Sequence, residues 1–377
     1  MHLFALIIGF ALLAFVLRDA FETLVLPRSA NSSLRLTAFF YTVIWSGWRW
    51  IARRLRKPNQ REAHLWAFGP LSLILLMAVW AILLVFGFGI LQWSAGSHLH
   101  APEDNPGFWT DIYLSGTTLF TLGYGDVSPL SPVARAISVT EAGVGFGFLA
   151  IVIGYLPVLY QGFSRREVAI SLLDARAGSP PTASELLKRH ALPVTRACTL
   201  EALLADWEKW AAELLESHLS YPALSFYRSQ HDRQSWLASL TCILDTSALV
   251  IAGVGGSADR QARLTFAMCR HALIDLSLIL NTPPCAPRFP RLDAAGFDQL
   301  TSGLIQEDVT FERPDCIDEL TRLRALYEPY AVVLADYLMV DLPPWQISLP
   351  VLDNWEASAW ETNSAADDDW VLHPHSS

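Results

Sequence analysis

Thr121-Leu-Gly-Tyr-Gly-Asp126, inside the stretch Thr118–Pro129, decides how this chain is read. Two glycines one residue apart, Gly123 and Gly125, let the backbone take angles that a Cβ disfavours, so successive carbonyls can face one axis. Carbonyls gathered in that way can replace the water around a dehydrated cation. Thr121 adds a hydroxyl at one mouth of the loop, and Tyr124 points outward and can brace it. Gly-Tyr-Gly alone is also the composition of an ordinary turn, so the flanking sequence has to choose between the two readings.

The flanks are two long apolar segments. Leu71 to Trp93 runs for 23 residues without a charge. At about 1.5 Å per residue it spans roughly 34 Å, enough for a bilayer core of about 30 Å. It predicts an outer helix over 70–93 with Pro70 at its start, where a missing N–H is harmless. Val133 to Phe163, interrupted only by Arg135 and Glu141, predicts an inner helix over 133–163. Between them, 94–107 is polar and marked by Gly and Pro, and 108–120 suits a short re-entrant helix ending at the loop. Non-helical backbone at membrane depth is tolerated only where protein buries it or water reaches it, and this arrangement offers both.

With these residues in place, the stretch from Pro70 to Gln161, about a quarter of the chain, resembles the pore domain of the potassium channel family in its single-pore prokaryotic form. The resemblance implies a K⁺ selectivity filter built from Thr121, Leu122, Gly123, Tyr124 and Gly125, with Leu122 standing where the family more often has Val. Asp126, Thr117, Thr118 and Glu141 are candidates to support it, Glu141 through a hydrogen bond to Thr117 or Thr118. A single filter strand per chain implies a homotetramer, with K⁺ as permeant ion and no cofactor. The family often carries a hinge glycine in the inner helix, and counting from Gly125 reaches Gly145. Gly143 and Gly147 flank it, and Gly154 and Pro157 lie further along as gate candidates. Glycines in membrane helices also serve close helix packing, so both roles stay open.

Composition fits an all-α membrane protein with a large soluble part: 52% of residues are hydrophobic, yet 17% are charged. Residues 1–161 hold ten Lys/Arg and eight Asp/Glu, which leaves 17 and 29 for 162–377. An acidic second half without a basic stripe argues against nucleic acid as a partner. All five cysteines, Cys198, Cys242, Cys269, Cys285 and Cys316, lie in that half with no C-x-x-C spacing, as expected of reduced core thiols in the cytosol.

Upstream of the pore, the apolar segment His2–Leu17 ends at Arg18-Asp19 without a basic n-region or a small-residue cleavage site, which argues for a retained helix. Leu36–Ile51, with Trp45, Trp48 and Trp50 near one end, is read either as a helix lying in the inner interface or as a further span. A filter facing outside puts the start of the outer helix and the end of the inner helix, at Arg165-Arg166, in the cytoplasm. Arg49, Arg53, Arg54, Arg56, Lys57 and Arg61 then fall on the cytoplasmic side, as the positive-inside bias requires. They bunch at a membrane edge and around Pro58, so they are candidates for contact with anionic lipid headgroups and not a voltage sensor.

Residues 164–342 read as a helical cytoplasmic domain, with helical spacing over Leu200–Glu216, Ser235–Val254, Ala258–Asn281 and Pro314–Met339. Breaks fall at Gly178-Ser-Pro-Pro181, Pro222, Gly253–Gly256, Pro283-Pro284 and Pro343-Pro344. Leu249-Val-Ile-Ala-Gly-Val-Gly-Gly256 lacks the G-x-G-x-x-G spacing and reads as a helix connection rather than a dinucleotide site. His271 and Asp275 share a helix face, but two ligands make no transition-metal site. The tail 343–377 places Trp345, Trp355, Trp360 and Trp370 among acids including Asp367–Asp369 and is expected to be a docking or partly disordered segment, with disorder beyond Thr362.

The expected organisation is therefore N-terminal membrane and interfacial helices over 1–61, a pore domain over 62–163 with its filter at 121–126, the helical domain, and the tail. The implied protein is a multi-pass protein of the inner or plasma membrane, not an enzyme, whose cytoplasmic domain answers to an unidentified ligand or protein. The alternative is a non-conducting sensor or assembly protein that keeps a pore-like anchor.

Overall fold

A computed structural model describes residues 2–26, 36–102, 106–190, 194–230, 233–287, 289–313 and 316–347. The tail tryptophans Trp355, Trp360 and Trp370 and the acids Asp367–Asp369 lie outside the described residues, as does the side chain of Cys198. The chain forms two compact units, residues 1–162 with 219–227, and residues 163–218 with 228–377. Both are helical, and the only strands among the described residues are the two-residue pair β1 (Leu99–His100) and β2 (Ser128–Pro129).

The first unit contains α1 (His2–Leu24), α2 (Leu36–Ala52), α3 (Pro58–Ser94), α4 (Phe108–Leu119) and the first part of α5 (Pro132–Ala177). Of these, α1, α3 and α5 are long and apolar enough to cross a membrane. Helix α1 runs antiparallel to α3. Gly9 lies against Leu91, Leu13 fills the space left by Gly87, and the Asp19 carboxylate accepts a 2.9 Å bond from Trp80 Nε1. A Cβ on Gly87 would come 2.6 Å from Leu13 Cδ2, so these small residues set the close approach of the two helices. Helix α2 also follows α3 in antiparallel order. The Thr37 hydroxyl donates to Asp19 at 2.7 Å beside Trp80, Trp45 packs on Phe68, and Trp48 stacks on His64 with ring centroids 4.2 Å apart. Leu13, Val16, Phe40, Leu76, Trp80, Leu84, Phe88 and Leu119 form the core that joins these helices.

Two boundaries differ from expectation. The outer helix starts at Pro58 rather than Pro70, which lies inside it, and the inner helix runs to Ala177 rather than Phe163. An apolar run marks only the part of a helix that lipid or core demands. Backbone hydrogen bonding continues through the charged turns that water can solvate.

In the second unit, α6 (Ala183–His190), α7 (Val194–Ser220), α8 (Trp236–Leu249), α9 (Asp259–Ile279), α10 (Ala294–Gln306), α11 (Ile317–Ala325) and α12 (Glu328–Leu338) follow the end of α5. Every residue of α8 is buried, and Ser235 caps its start by accepting a 3.0 Å bond from Ala238 N. The helix continues as a π segment over Val250–Val254 and ends at Gly255 and Gly256, both left-handed. The glycine-rich stretch is thus a buried helix end. Helices α6 and α10 are additions to the sequence reading. Asp293 caps α10 through Gly296 N at 2.8 Å.

Beneath α8 lies a buried ionic cluster. Arg291 makes a bidentate pair with Asp245 at 2.7 and 3.1 Å, and the Tyr327 hydroxyl donates to the same carboxylate. Glu328 accepts from Arg291 at 3.3 Å and from Arg324 at 3.0 Å. Trp345, the first tryptophan of the tail, is buried beside the Arg291 and Arg324 guanidinium groups, as a docked segment would be. Cys242, Cys269 and Cys316 are buried, while Cys285 is exposed. Burial pushes the Cys242 and Cys269 thiols well above the ordinary range, so both behave as small core residues.

Candidate functional site: the Thr121–Asp126 loop

The loop starts where α4 ends, and the helix end holds it. Thr121 N donates to Thr118 O at 3.1 Å, and the Thr117 carbonyl accepts from Leu122 N at 2.8 Å and from Gly123 N at 3.3 Å. Thr121, Gly123 and Gly125 have φ of 57°, 55° and 80°, so alternate residues are left-handed. Alternation of hand is a backbone pattern compatible with successive carbonyls facing one side. Sequence marks two of the three positions by glycine. Thr121, which has a Cβ, is not marked, and a left-handed β-branched residue is strained. No atom lies within 4 Å of where a Cβ on Gly123 or Gly125 would sit, so glycine is required there by backbone angle and not by crowding. In the single chain Leu122 and Tyr124 are 54% and 69% exposed, leaving both side chains free for neighbours outside it.

Support comes from three sides. Tyr113 on α4 donates its hydroxyl to Asp126 at 2.9 Å. Val127 is buried with Leu99 and Leu114, and β1 pairs with β2 just beyond, so the exit of the loop is fixed to the segment that precedes α4. Asp111, buried on α4, accepts from Ser97 Oγ at 2.6 Å. Glu141 on α5 is buried and reaches Ser115 Oγ, not Thr117 or Thr118 as expected. Ser115 links α4 to both long helices, since its hydroxyl also lies 2.8 Å from the Val85 carbonyl on α3. Thr117 is occupied otherwise, with its hydroxyl donating to Leu114 O at 3.0 Å. Tyr113, Ser115 and Asp111 were not singled out in the sequence. Asp111 and Ser115, four residues apart on one buried face of α4, share the signal of polar side chains one helical turn apart, whereas Tyr113 lies on another face.

Of the hinge candidates, Gly145 is pressed against the end of α4, where a Cβ would overlap the Leu119 carbonyl. Gly143, Gly147 and Gly154 have no such neighbour, and Pro157 lies inside α5 with helix on both sides. The basic residues bracket the turn from α2 to α3. The guanidinium of Arg54 sits 3.1 Å above the Trp50 ring, Arg61 lies 3.9 Å from Glu62, Arg53, Arg56 and Lys57 are exposed, and Arg49 is half-buried on α2. His271 and Asp275 stand 3.7 Å apart on α9.

Residues 73–161 match the family described as ion channel, so this stretch is an ion-channel domain in a multi-pass membrane protein. The chain is 27% identical over 230 residues to the uncharacterized membrane protein YdjJ of Bacillus subtilis (strain 168), covering 56% of this chain and 64% of that one. It is 38% identical over 76 residues to protein LctB of Bacillus caldotenax, or 20% of this chain and 54% of the relative. Over 60 residues it is 38% identical to protein LctB of Geobacillus stearothermophilus, or 16% and 40%. The chain thus spans less than two thirds of the length of each of these relatives. No solved structure matches it.

Proposed function

We propose that the chain is one subunit of a homotetrameric, K⁺-selective channel that conducts passively through the Thr121–Gly125 carbonyls and gates on α5. The observation that carries this reading is the alternation of left-handed residues at 121, 123 and 125, a backbone pattern that suits successive carbonyls facing one axis. One such strand cannot enclose an ion, and four copies close the ring. An exposed apolar stripe supports assembly: Val139, Phe146 and Ile153, spaced seven apart on α5, are 74%, 70% and 63% exposed in the single chain. The carbonyl end of α4, with its partial negative charge, favours a cation beside the loop. Reaction chemistry is not part of the proposal, and the protein is not an enzyme.

With the filter facing outside, α3 begins and α5 emerges on the cytoplasmic side of the cell membrane, and antiparallel α1 places the N-terminus outside. Arg49, Arg53, Arg54, Arg56, Lys57 and Arg61 then lie at the inner leaflet, where each basic residue adds about 1 kcal/mol of attraction to anionic lipid. The second unit is the cytoplasmic domain and regulates the gate in response to a ligand or protein that it binds. One segment suits that role. Leu219–Tyr227 packs within the first unit although the chain on either side belongs to the second. Phe226 sits among Tyr41, Trp45 and Phe68 at centroid distances of 5.4, 5.1 and 5.2 Å, Tyr227 covers Gly69, and Tyr221 meets Tyr155 on α5. This strap touches both the outer and the inner helix.

Flux into liposomes loaded with the purified full-length protein tests the proposal. K⁺ and Rb⁺ uptake above protein-free vesicles is expected. No uptake of any monovalent cation by correctly inserted protein would instead favour a non-conducting anchor.

A further inference from the structure

We infer that Glu141 is a neutral carboxylic acid that donates its proton to Ser115, making Glu141 a positioning residue that locks the pore helix between the two long helices of the ion-channel domain. Ser115 has one hydroxyl proton and two acceptors in reach, the Val85 carbonyl on α3 and Oε1 of Glu141 on α5. A backbone carbonyl can only accept, so when Ser115 donates to Val85 the contact with Glu141 needs its proton from the acid. The alternative, an ionised Glu141 with Ser115 as its donor, leaves the carboxylate badly served. Its other oxygen, Oε2, is buried without a hydrogen-bond partner, the residue is fully buried, and no arginine, lysine or histidine among the described residues forms an ion pair with it. A buried carboxylate needs several donors or a cation to stay charged, whereas a neutral acid needs one acceptor for its proton and tolerates a bare carbonyl oxygen. Glu141 to Ser115 to Val85 is thus a directed chain of two hydrogen bonds across α5, α4 and α3. Close backbone contact accompanies it, since a Cβ on Gly89 of α3 would come 3.1 Å from the Ile112 Cα of α4.

The lock's effect on conduction rests on the channel reading, but its protonation does not, and the two are measured separately. Infrared difference spectra of the full-length protein in lipid, wild type against Glu141→Gln, read the protonation directly. A neutral-acid carbonyl band present in the wild type and missing from the variant is expected. A difference confined to the carboxylate bands would overturn the proposal. Glutamine keeps a donor for Ser115 and has the shape of the neutral acid, so Glu141→Gln should insert and pass K⁺ within about twofold of wild type. Glu141→Leu should lose about tenfold, the population change that one lost buried hydrogen bond brings. Failure of Glu141→Gln to fold while Glu141→Asp folds would also overturn the proposal, because it would make the negative charge the requirement. Absence of flux from the wild type with the neutral-acid band intact would reject the channel reading and leave the protonation standing.

Discussion

Gly145 of α5 rests directly on the carbonyl of Leu119, the last residue of α4, and the contact is possible only because position 145 has no side chain. The glycine at the expected hinge position is therefore a spacer that lets α5 approach the base of the candidate filter. Its oxygen neighbour belongs to the backbone and cannot swing away, unlike the end of a flexible side chain.

Gly145→Ala should destabilise the first unit by about 1–3 kcal/mol, the usual range for overpacking. Gly143→Ala, Gly147→Ala and Gly154→Ala meet open space and should be neutral or gain up to about 1 kcal/mol of helix propensity. Thermal denaturation of the four purified variants in one detergent checks the contrast. If gating does use a flexible glycine, the variants that shift opening without losing stability identify it among the last three.

The strap makes a second prediction. Phe226→Ala removes the ring that three aromatic side chains enclose, and should cost about 3–5 kcal/mol of local packing. Single-channel records of Phe226→Ala should show a changed open probability with unchanged preference for K⁺ over Na⁺, since the strap touches α2, α3 and α5 and not the loop at 121–126. A cysteine pair, Gly69→Cys with Tyr227→Cys, offers the reversible version: cross-linking should fix open probability, and reductant should release it.

His218 supplies a pH dependence. It is buried in the second unit, with Nδ1–H donating to Leu214 O at 2.8 Å and Nε2 facing the Arg166 guanidinium at 3.4 Å, so a proton on Nε2 would confront a cation. Burial first, and then the charge of Arg166, push its pKa down to about 3. The folded state keeps His218 neutral while the unfolded chain takes up a proton below about pH 6.5, so stability is full above that value and falls as pH drops toward 3. The slope is about 1.4 kcal/mol per pH unit from this group alone. Melting curves of wild type and His218→Asn between pH 7 and pH 5 should diverge, with the variant losing less on acidification. Parallel curves would mean that His218 titrates normally.

The buried cluster under α8 tests how the second unit is held. Arg291→Met strands Asp245, which is fully buried, and should destabilise the unit by about 3–5 kcal/mol. Asp245→Leu together with Arg291→Met removes both charges and should recover most of that loss, because a well-packed apolar pair often equals a buried ion pair. Tryptophan fluorescence during denaturant unfolding follows both variants, with Trp236 and Trp345 buried in the unit.

How much of this was legible in the sequence follows from the range of each force. The glycines at 123 and 125 and the uncharged run Leu71–Trp93 are local signals, and both lead to the structure found. Thr121 carries no mark of its left-handed angle because its neighbours impose it. Ser115 could not be told from Thr117 or Thr118 as the partner of Glu141, since the rotation of a three-turn helix between two others depends on packing at Gly89 and Gly145. The strap was invisible for a related reason. Pro222 reads as a break, and nothing nearby says that Phe226 will find Tyr41, Trp45 and Phe68, far away in the chain. The short helix α10 hid behind Gly296 and Gly303, and only the Asp293 cap would have announced it.

The central claim is that the carbonyls of Thr121–Gly125 select K⁺, and the reversal potential under opposed K⁺ and Na⁺ gradients tests it most directly. Full-length protein in planar bilayers should reverse near the K⁺ equilibrium potential. Gly123→Ala, which places a Cβ at φ 55° at a cost of roughly 1–2 kcal/mol in each of four strands, should insert normally and carry no K⁺ current. A wild-type reversal midway between the two ions' potentials, or a Gly123→Ala channel that conducts like the wild type, would contradict the account.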